Sequence, residues 1–426
     1  MELTCNVQTY AWGKKGSESL VARSKGGADG SFVVDDNTPY AEYWMGTHPN
    51  NPSLVRGSEE LLSVWLANNP AAVGVVPDGY PADNIPFLFK ILSIGKTLSI
   101  QVHPDQALGR ELHASRPDVY KDPNHKPEMA IALTRFEAMC GLRPLHDVEG
   151  YIKDIPELGA VCGIDGSTDT PITLEALWRT FLTMGDAVVE AQLAALKGRL
   201  QEKRKPSQPR AGGTTRARTV SADMESIDPC ELSLRLMSQF PGDRGAFCPF
   251  LLKCLCLEPG EAFFMGPNQP HAYVSGDCLE VMAPSDNVIR AALTPKYKDT
   301  ETVITTIDYS SADGLPIVQP IKVDANITTY RPPCKLAPEF ELHLHQYSRN
   351  ESEDAANSWS LHQINCCSIV LVMDGSVTIV VDVSGVETSA SAGSVLFIPA
   401  NTQVTVTLTS DSATLYRTNR NLGGEI

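Results

Sequence analysis

The stretch "PGEAFFMGPNQPHAYV", residues 259–274, is matched 133 positions later by "AGSVLFIPANTQVTVT", residues 392–407. Gly260 aligns with Gly393, Phe264 with Phe397 and Asn268 with Asn401. Each copy reads as a turn, a short apolar strand, a Pro/Asn turn and a second strand. Two copies of one β unit are therefore expected. Their polar content differs, because His271 of the first copy falls on Val404 of the second. The first copy then carries a polar site that the second has lost.

Outward from the repeat, the chain alternates between two grammars. Residues 1–150 are rich in Pro, Gly and Asn and in short β-like runs such as "FLFKILSIGKTLSIQV", 87–102. From about residue 171 the period changes. Leu174, Leu177, Trp178, Phe181 and Leu182 recur at helical spacing, and Val189, Leu193, Leu196 and Leu200 continue it. This helical segment runs into "KRKPSQPRAGGTTRARTVSA", 203–222, with six basic residues and no acidic one. Such a composition buries too little to order itself and reads as a mobile loop. Helical spacing returns at Leu232, Leu236, Met237 and Phe240, after which alternating strands such as "SVTIVVDV" hold to the end. The expected class is mainly β with a helical insertion, its β parts forming sandwiches or barrels.

Composition narrows the function. The 426 residues carry a net charge of −16, so the molecular field repels nucleic acid and anionic lipid. An anionic small molecule needs a local positive site. No run approaches the roughly 18 apolar residues of a membrane span, and no signal-like segment opens the chain. Eleven cysteines without C-x-x-C spacing suit free thiols in a reducing, cytoplasmic compartment.

Within "LSIQVHPD", 98–105, period two puts Leu98, Ile100 and Val102 on one face and Ser99, Gln101 and His103 on the other. His103, Glu128 of "HKPEMAIAL" and His271 supply two imidazoles and a carboxylate from separate strands, a donor set that zinc accepts. Spacing alone does not justify Gln101 as a fourth donor. Other histidines, His48, His343, His345 and His362 among them, read as structural or exposed. His343 and His345 form an H-x-H with no third donor visible in the sequence.

At these residues the chain resembles the type I phosphomannose isomerases, zinc enzymes of the cupin superfamily. "YAWGKKG" (10–16), "YWMGTHPNNPS" (43–53), "PFLFKILS" (86–93), "LSIQVHPD", "HKPEMAIAL" and "GPNQPHAYVSGDCLEVMAPSDNVIRAALTPKYKD" (266–299) carry the likeness in the family's order. The resemblance implies two cupin-like β-barrels, or jelly rolls, plus an α-helical domain. On that reading residues 1–155 and 250–325 form a discontinuous catalytic cupin, 156–249 a helical insertion with its loop at 203–222, and 326–426 a non-catalytic cupin. It implies one Zn²⁺ per chain on Gln101, His103, Glu128 and His271. The implied reaction interconverts mannose 6-phosphate and fructose 6-phosphate through a cis-enediol, in a cytoplasmic monomer whose partner is a sugar phosphate. The metabolic role implied is supply for GDP-mannose synthesis and glycosylation.

For proton transfer the sequence offers Lys90, His125, Asp286 and Glu280. Lys90, flanked by "FLF" and "IL", is expected to have a lowered pKa and to supply a neutral amine if it faces the barrel interior near Zn²⁺, the other reading being a snorkelling lysine at a strand end. His125 and Asp286 resemble the family's ring-opening and acid-base positions. Arg290 suits a phosphate or a developing enediolate, with Lys126, Lys296 and Ser99 as further donors and Trp12 and Tyr273 lining the cavity. Two other classes compete. A redox cupin oxygenase would want a histidine-rich set and iron. A non-catalytic sugar-phosphate binder would not need Lys90, Asp286 and Arg290 beside an intact metal set.

Overall fold

The computed structural model describes residues 1–164, 172–204, 227–312, 316–349 and 357–424. The basic segment 203–222 lies almost wholly outside the described residues. The chain is mainly β. Two large antiparallel sheet assemblies carry the strands, and helices cluster between Leu145 and Phe250.

The 133-residue offset is present in the elements themselves. Strand Ala262–Met265 corresponds to Val395–Ile398, and the long strands that follow begin at His271 and at Val404. The turns repeat as well: Gly260 and Gly393 have φ of 89° and 93°, and Asn268 and Asn401 have φ of 65° and 57°. Asparagine is among the few non-glycine residues that tolerate this left-handed region. At Gly393 a Cβ would also lie 1.9 Å from the Ser24 carbonyl oxygen, so only glycine fits.

The first assembly is built on His271–Met282, which pairs antiparallel with Leu88–Ile94 and with Glu128–Ala132. At its start the same strand meets Ile100–Val102, with His271 opposite Gln101. The second assembly centres on Ser368–Val381 against Val404–Asn419. The N-terminal strand Glu2–Thr4 joins the second assembly, antiparallel to Val395–Ile398, although it belongs by sequence to the first β segment. Leu3, Phe87, Phe89, Phe264, Phe340 and Phe397 share one buried cluster, so apolar burial links the two assemblies.

The helical periodicity meets the structure directly. Helix Leu174–Thr183 is capped by Thr173, whose hydroxyl accepts from the Ala176 amide, and it buries Leu174, Leu177, Trp178, Phe181 and Leu182. Val189, Leu193, Leu196 and Leu200 of the next helix enter the same core, which also takes Ile100 and Val102. The helices thus back the strand that carries Gln101. Ile100 and Val102 are fully buried on one face while Gln101 faces the cavity, as the alternation requires. Leu98 departs from it: the strand starts only at Ile100, and Leu98 lines the cavity instead. No described helix is long and apolar enough to cross a membrane.

Candidate metal centre and substrate cavity

A cavity of about 570 Å³ opens over the first assembly, inside the common range of small-molecule sites, about 300–1,000 Å³. Antiparallel pairing sets its floor. Gln101 lies opposite His271 on one neighbouring strand and opposite Arg290 on the other, so these three side chains form one cross-strand row. Glu128 begins the Glu128–Ala132 strand, and His103 follows Val102 as the chain leaves the sheet.

His103, Glu128 and His271 converge. Glu128 Oε2 lies 3.3 Å from His103 Nε2 and 3.4 Å from His271 Nε2, and all three side chains are essentially without solvent exposure. Each imidazole is oriented from behind. His103 Nδ1 is 2.8 Å from the Asn287 carbonyl oxygen and His271 Nδ1 is 3.0 Å from that of Gln269. An Nδ1–H donated to a carbonyl leaves the Nε2 lone pair facing the centre. Among the described residues neither His103 Nε2 nor Glu128 Oε2 has a hydrogen-bond partner despite full burial. Buried polar atoms left so, on three converging electron-pair donors, fit a divalent cation. Gln101 Nε2 stands 3.4 Å from His271 Nε2; with its amide turned over, the oxygen would take that place.

Charge around the triad follows from its neighbours. Lys126 Nζ lies 2.7 Å from Glu128 Oε1, occupying one carboxylate oxygen and leaving Oε2 to the centre. Burial works against the Glu128 anion, but Lys126 and His103 outweigh it and hold the carboxyl well below the usual range. Burial, reinforced by Lys126, lowers His103 to about 4. It is neutral at pH 7, the state a metal requires.

The cavity wall holds a second cluster. Lys90 Nζ lies 3.0 Å from Glu280 Oε2 and 3.5 Å from Glu42 Oε2, and sits 4.8 Å from the centroid of Trp44. Tyr273 Oη donates to Glu280 Oε1 at 2.8 Å, and Trp44 Nε1 donates to Glu42. The lowered Lys90 pKa expected from its apolar flanks does not occur. Burial alone would lower it, but Glu280, Glu42 and Glu128 together raise it instead. Lys90 is an ammonium. With one cation between two carboxylates, burial dominates at Glu280 and pushes its pKa up against the pull of Lys90.

Of the sequence candidates, Trp12, Lys90, Ser99, Gln101, Lys126, Glu128, Tyr273, Glu280, Asp286, Arg290 and Lys296 all line this cavity. Arg290 is half-buried with no hydrogen bond or ion pair among the described residues; the nearby acid Asp286 is held by Asn50 Nδ2 at 2.8 Å and approached by His48 Nε2 at 3.5 Å. His103, His271 and His125 are not among the lining side chains: the first two meet the cavity through Glu128, and His125 Nε2 lies 2.6 Å from Glu339 Oε1. Sequence reasoning missed Glu42, Trp44, His48 and Asn50, which also line the cavity. All but Glu42 lie in "YWMGTHPNNPS", yet nothing in their spacing marks them as polar lining.

Comparison with known proteins agrees with this geometry. A family model described as "Phosphomannose isomerase type I, catalytic domain" matches residues 1–145. The mannose-6-phosphate isomerase of Homo sapiens is 37% identical, over 96% of this chain and 95% of its own. That of Schizosaccharomyces pombe is 38% identical, over 97% and 98%. Among solved structures, mannose 6-phosphate isomerase from Salmonella typhimurium, described as bound to substrate (f6p) and a zinc atom, superposes with a TM-score of 0.79. It is 28% identical over 99% of each chain. Identity at this level along nearly the full length is a family relationship, and the chain is a member of the type I phosphomannose isomerases.

Proposed function

We propose that this protein is a mannose-6-phosphate isomerase, interconverting mannose 6-phosphate and fructose 6-phosphate through a cis-enediol, with one Zn²⁺ per chain. The observation that carries the reading is the convergence of a buried donor set, His103, Glu128 and His271, on the floor of a cavity whose lining holds Glu128 and an Arg290 with no ion pair among the described residues. Gln101, His103, Glu128 and His271 would hold the metal. A bound zinc supplies Lewis acidity, favouring negative charge on the sugar oxygens.

The chain's own groups divide the remaining work. Arg290 and Lys296, with no carboxylate partners among the described residues, are free to meet the phosphate or the enediolate, and Ser99 adds a hydroxyl donor. Trp12 and Tyr273 border the ring. Glu280 is the proton acceptor this geometry favours over Lys90. Its carboxylate is raised towards neutrality, oriented by the Tyr273 hydroxyl, and Lys90 stabilises the anion it must be before it accepts. The exposure of Asp286 beside His48 and Asn50 supports a role in exchange with solvent over one in the buried transfer.

The layout that goes with this function is a catalytic cupin from 1–155 and 250–325, a helical insertion at 156–249 and a second cupin at 326–426. The matching 133-residue offset of strands and turns supports two barrels of common design. Net charge of −16 argues against nucleic-acid partners. A cytoplasmic monomer supplying mannose 6-phosphate for GDP-mannose and glycosylation is the role the family relationship suggests. A coupled assay for fructose 6-phosphate, run before and after chelation and on zinc restoration, tests the reading; full activity after exhaustive chelation would sink it.

A further inference from the structure

The second assembly has a cavity of its own, about 180 Å³, whose lining is largely apolar but includes His343, His345, Arg417 and Asn419. Strand geometry assembles it. Glu341, His343 and His345 alternate on one face of Glu341–Ser348, and Arg417 sits directly opposite His343 on Val404–Asn419. His345 is 3% exposed and Arg417 4%, so both are deeply buried at the cavity wall.

The hydrogen bonds of this cluster leave a specific remainder. Glu341 is the acid here, and it is already engaged by Arg331 Nε at 2.5 Å, His343 Nε2 at 3.2 Å and Asn419 Nδ2 at 3.2 Å. His343 Nδ1 meets Thr329 Oγ1 at 2.8 Å. Arg417 donates only to neutral acceptors, Ser368 Oγ at 3.0 Å and the His362 carbonyl at 2.7 Å. Both ring nitrogens of His345 are buried with no hydrogen-bond partner among the described residues. Among the described residues, a guanidinium with no ion pair and an imidazole with no hydrogen-bond partner border the same space. Buried groups left so are costly unless something fills that space.

We propose that this cavity binds a small oxyanion, a phosphate or the phosphate group of a small metabolite, gripped by Arg417 and the N–H of His345. The inference is independent of the isomerase reading. A cation does not suit the space, because Arg417 puts a fixed positive charge in its wall. Among the described residues His103, Glu128 and His271 form the one three-donor cluster. Room is sufficient, since a water's share of liquid volume is about 30 Å³. Burial, together with His343 and Arg417, lowers His345 to about 3, so it presents one N–H and one lone pair at pH 7. An arriving anion would draw its pKa upward.

The test is equilibrium dialysis of the full, metal-loaded chain against radiolabelled inorganic phosphate, comparing the parent with His345→Leu and Arg417→Lys. The expected result is one phosphate per chain fewer in His345→Leu, or at least tenfold weaker binding at that site, with kcat and KM for the isomerisation within about twofold of the parent. Arg417→Lys should weaken the same site. Should it fail to fold, His345→Leu still decides, because leucine removes two ring nitrogens that have no partner to lose. Unchanged phosphate stoichiometry in His345→Leu, no phosphate bound there by the parent, or uptake of a second divalent metal that His345→Leu abolishes would each overturn the proposal.

Discussion

Lys90 and Glu280 face each other across adjacent antiparallel strands, with Nζ 3.0 Å from Oε2, and the pair is closed off from solvent. The relationship bears on the charge states in the cavity wall: the lysine is an ammonium beside two carboxylates, and burial raises the Glu280 pKa against the pull of Lys90. Lys90→Met removes the cation that favours the Glu280 anion, so the Glu280 pKa rises further. A base must be ionised, so activity increases as pH climbs through that pKa. The acid limb of the kcat/KM profile is therefore expected above the ordinary glutamate range in the parent, and at still higher pH in Lys90→Met. A pH profile checks this. An acid limb left in place by the substitution would separate Glu280 from proton transfer.

The metal triad sets a second expectation. His103→Ala removes one of three converging donors and leaves the Glu128 carboxylate facing a cavity, so metal and activity should be lost together. Elemental analysis should give one zinc in the parent and far less than one in the variant. Two tightly held zincs per parent chain would place a second centre beyond these residues.

The legible parts of the molecule were those written locally. Gly260, Asn268 and their counterparts Gly393 and Asn401 announce the duplicated unit because left-handed turns admit few residue types. The buried stripe of helix Leu174–Thr183 is equally local. His103, Glu128 and His271 could be assembled because metal chemistry restricts the residue types allowed. Lys90 resisted, since its charge depends on Glu42 and Glu280, 48 residues before it and 190 after it, brought alongside only by strand register. His345 resisted for the same reason. The H-x-H reads as structural or exposed in the sequence, and only strand register brings Arg417 beside it.

His125 offers a test of structure against resemblance. Its contact with Glu339, a fully buried carboxylate that also accepts from Tyr80 Oη at 2.9 Å, predicts a supporting role. His125→Ala removes one charge-assisted partner from a buried acid, which is expected to cost about 1–3 kcal/mol of stability. Denaturant unfolding should register that loss while kcat stays within about twofold of the parent. A large fall in kcat at unchanged stability would return His125 to the chemistry despite its position.

Arg290 separates geometry from charge. Because its guanidinium has no carboxylate partner among the described residues, Arg290→Lys strands no buried acid, and unfolding free energy should stay close to the parent. Any change must then appear in catalysis. Burial already lowers the Arg290 pKa from its ordinary value, with Tyr120 pulling the other way, so an anion in the cavity gains by approaching it. Lysine keeps the charge but not the planar fork, so a two-pronged hydrogen bond is lost. The loss of one charged, buried hydrogen bond is typically about 1.5–3 kcal/mol, or roughly ten- to a hundredfold in kcat/KM. If the fork grips the phosphate in ground and transition states alike, KM rises and kcat holds; if it meets charge that develops on the sugar oxygens, kcat falls. Its place in one row with Gln101 and His271, on the floor that carries the metal ligands, favours the second outcome. Steady-state kinetics with kcat unchanged and KM raised would move the contact to the phosphate. Both constants within about twofold of the parent, far below that range, would remove Arg290 from substrate altogether.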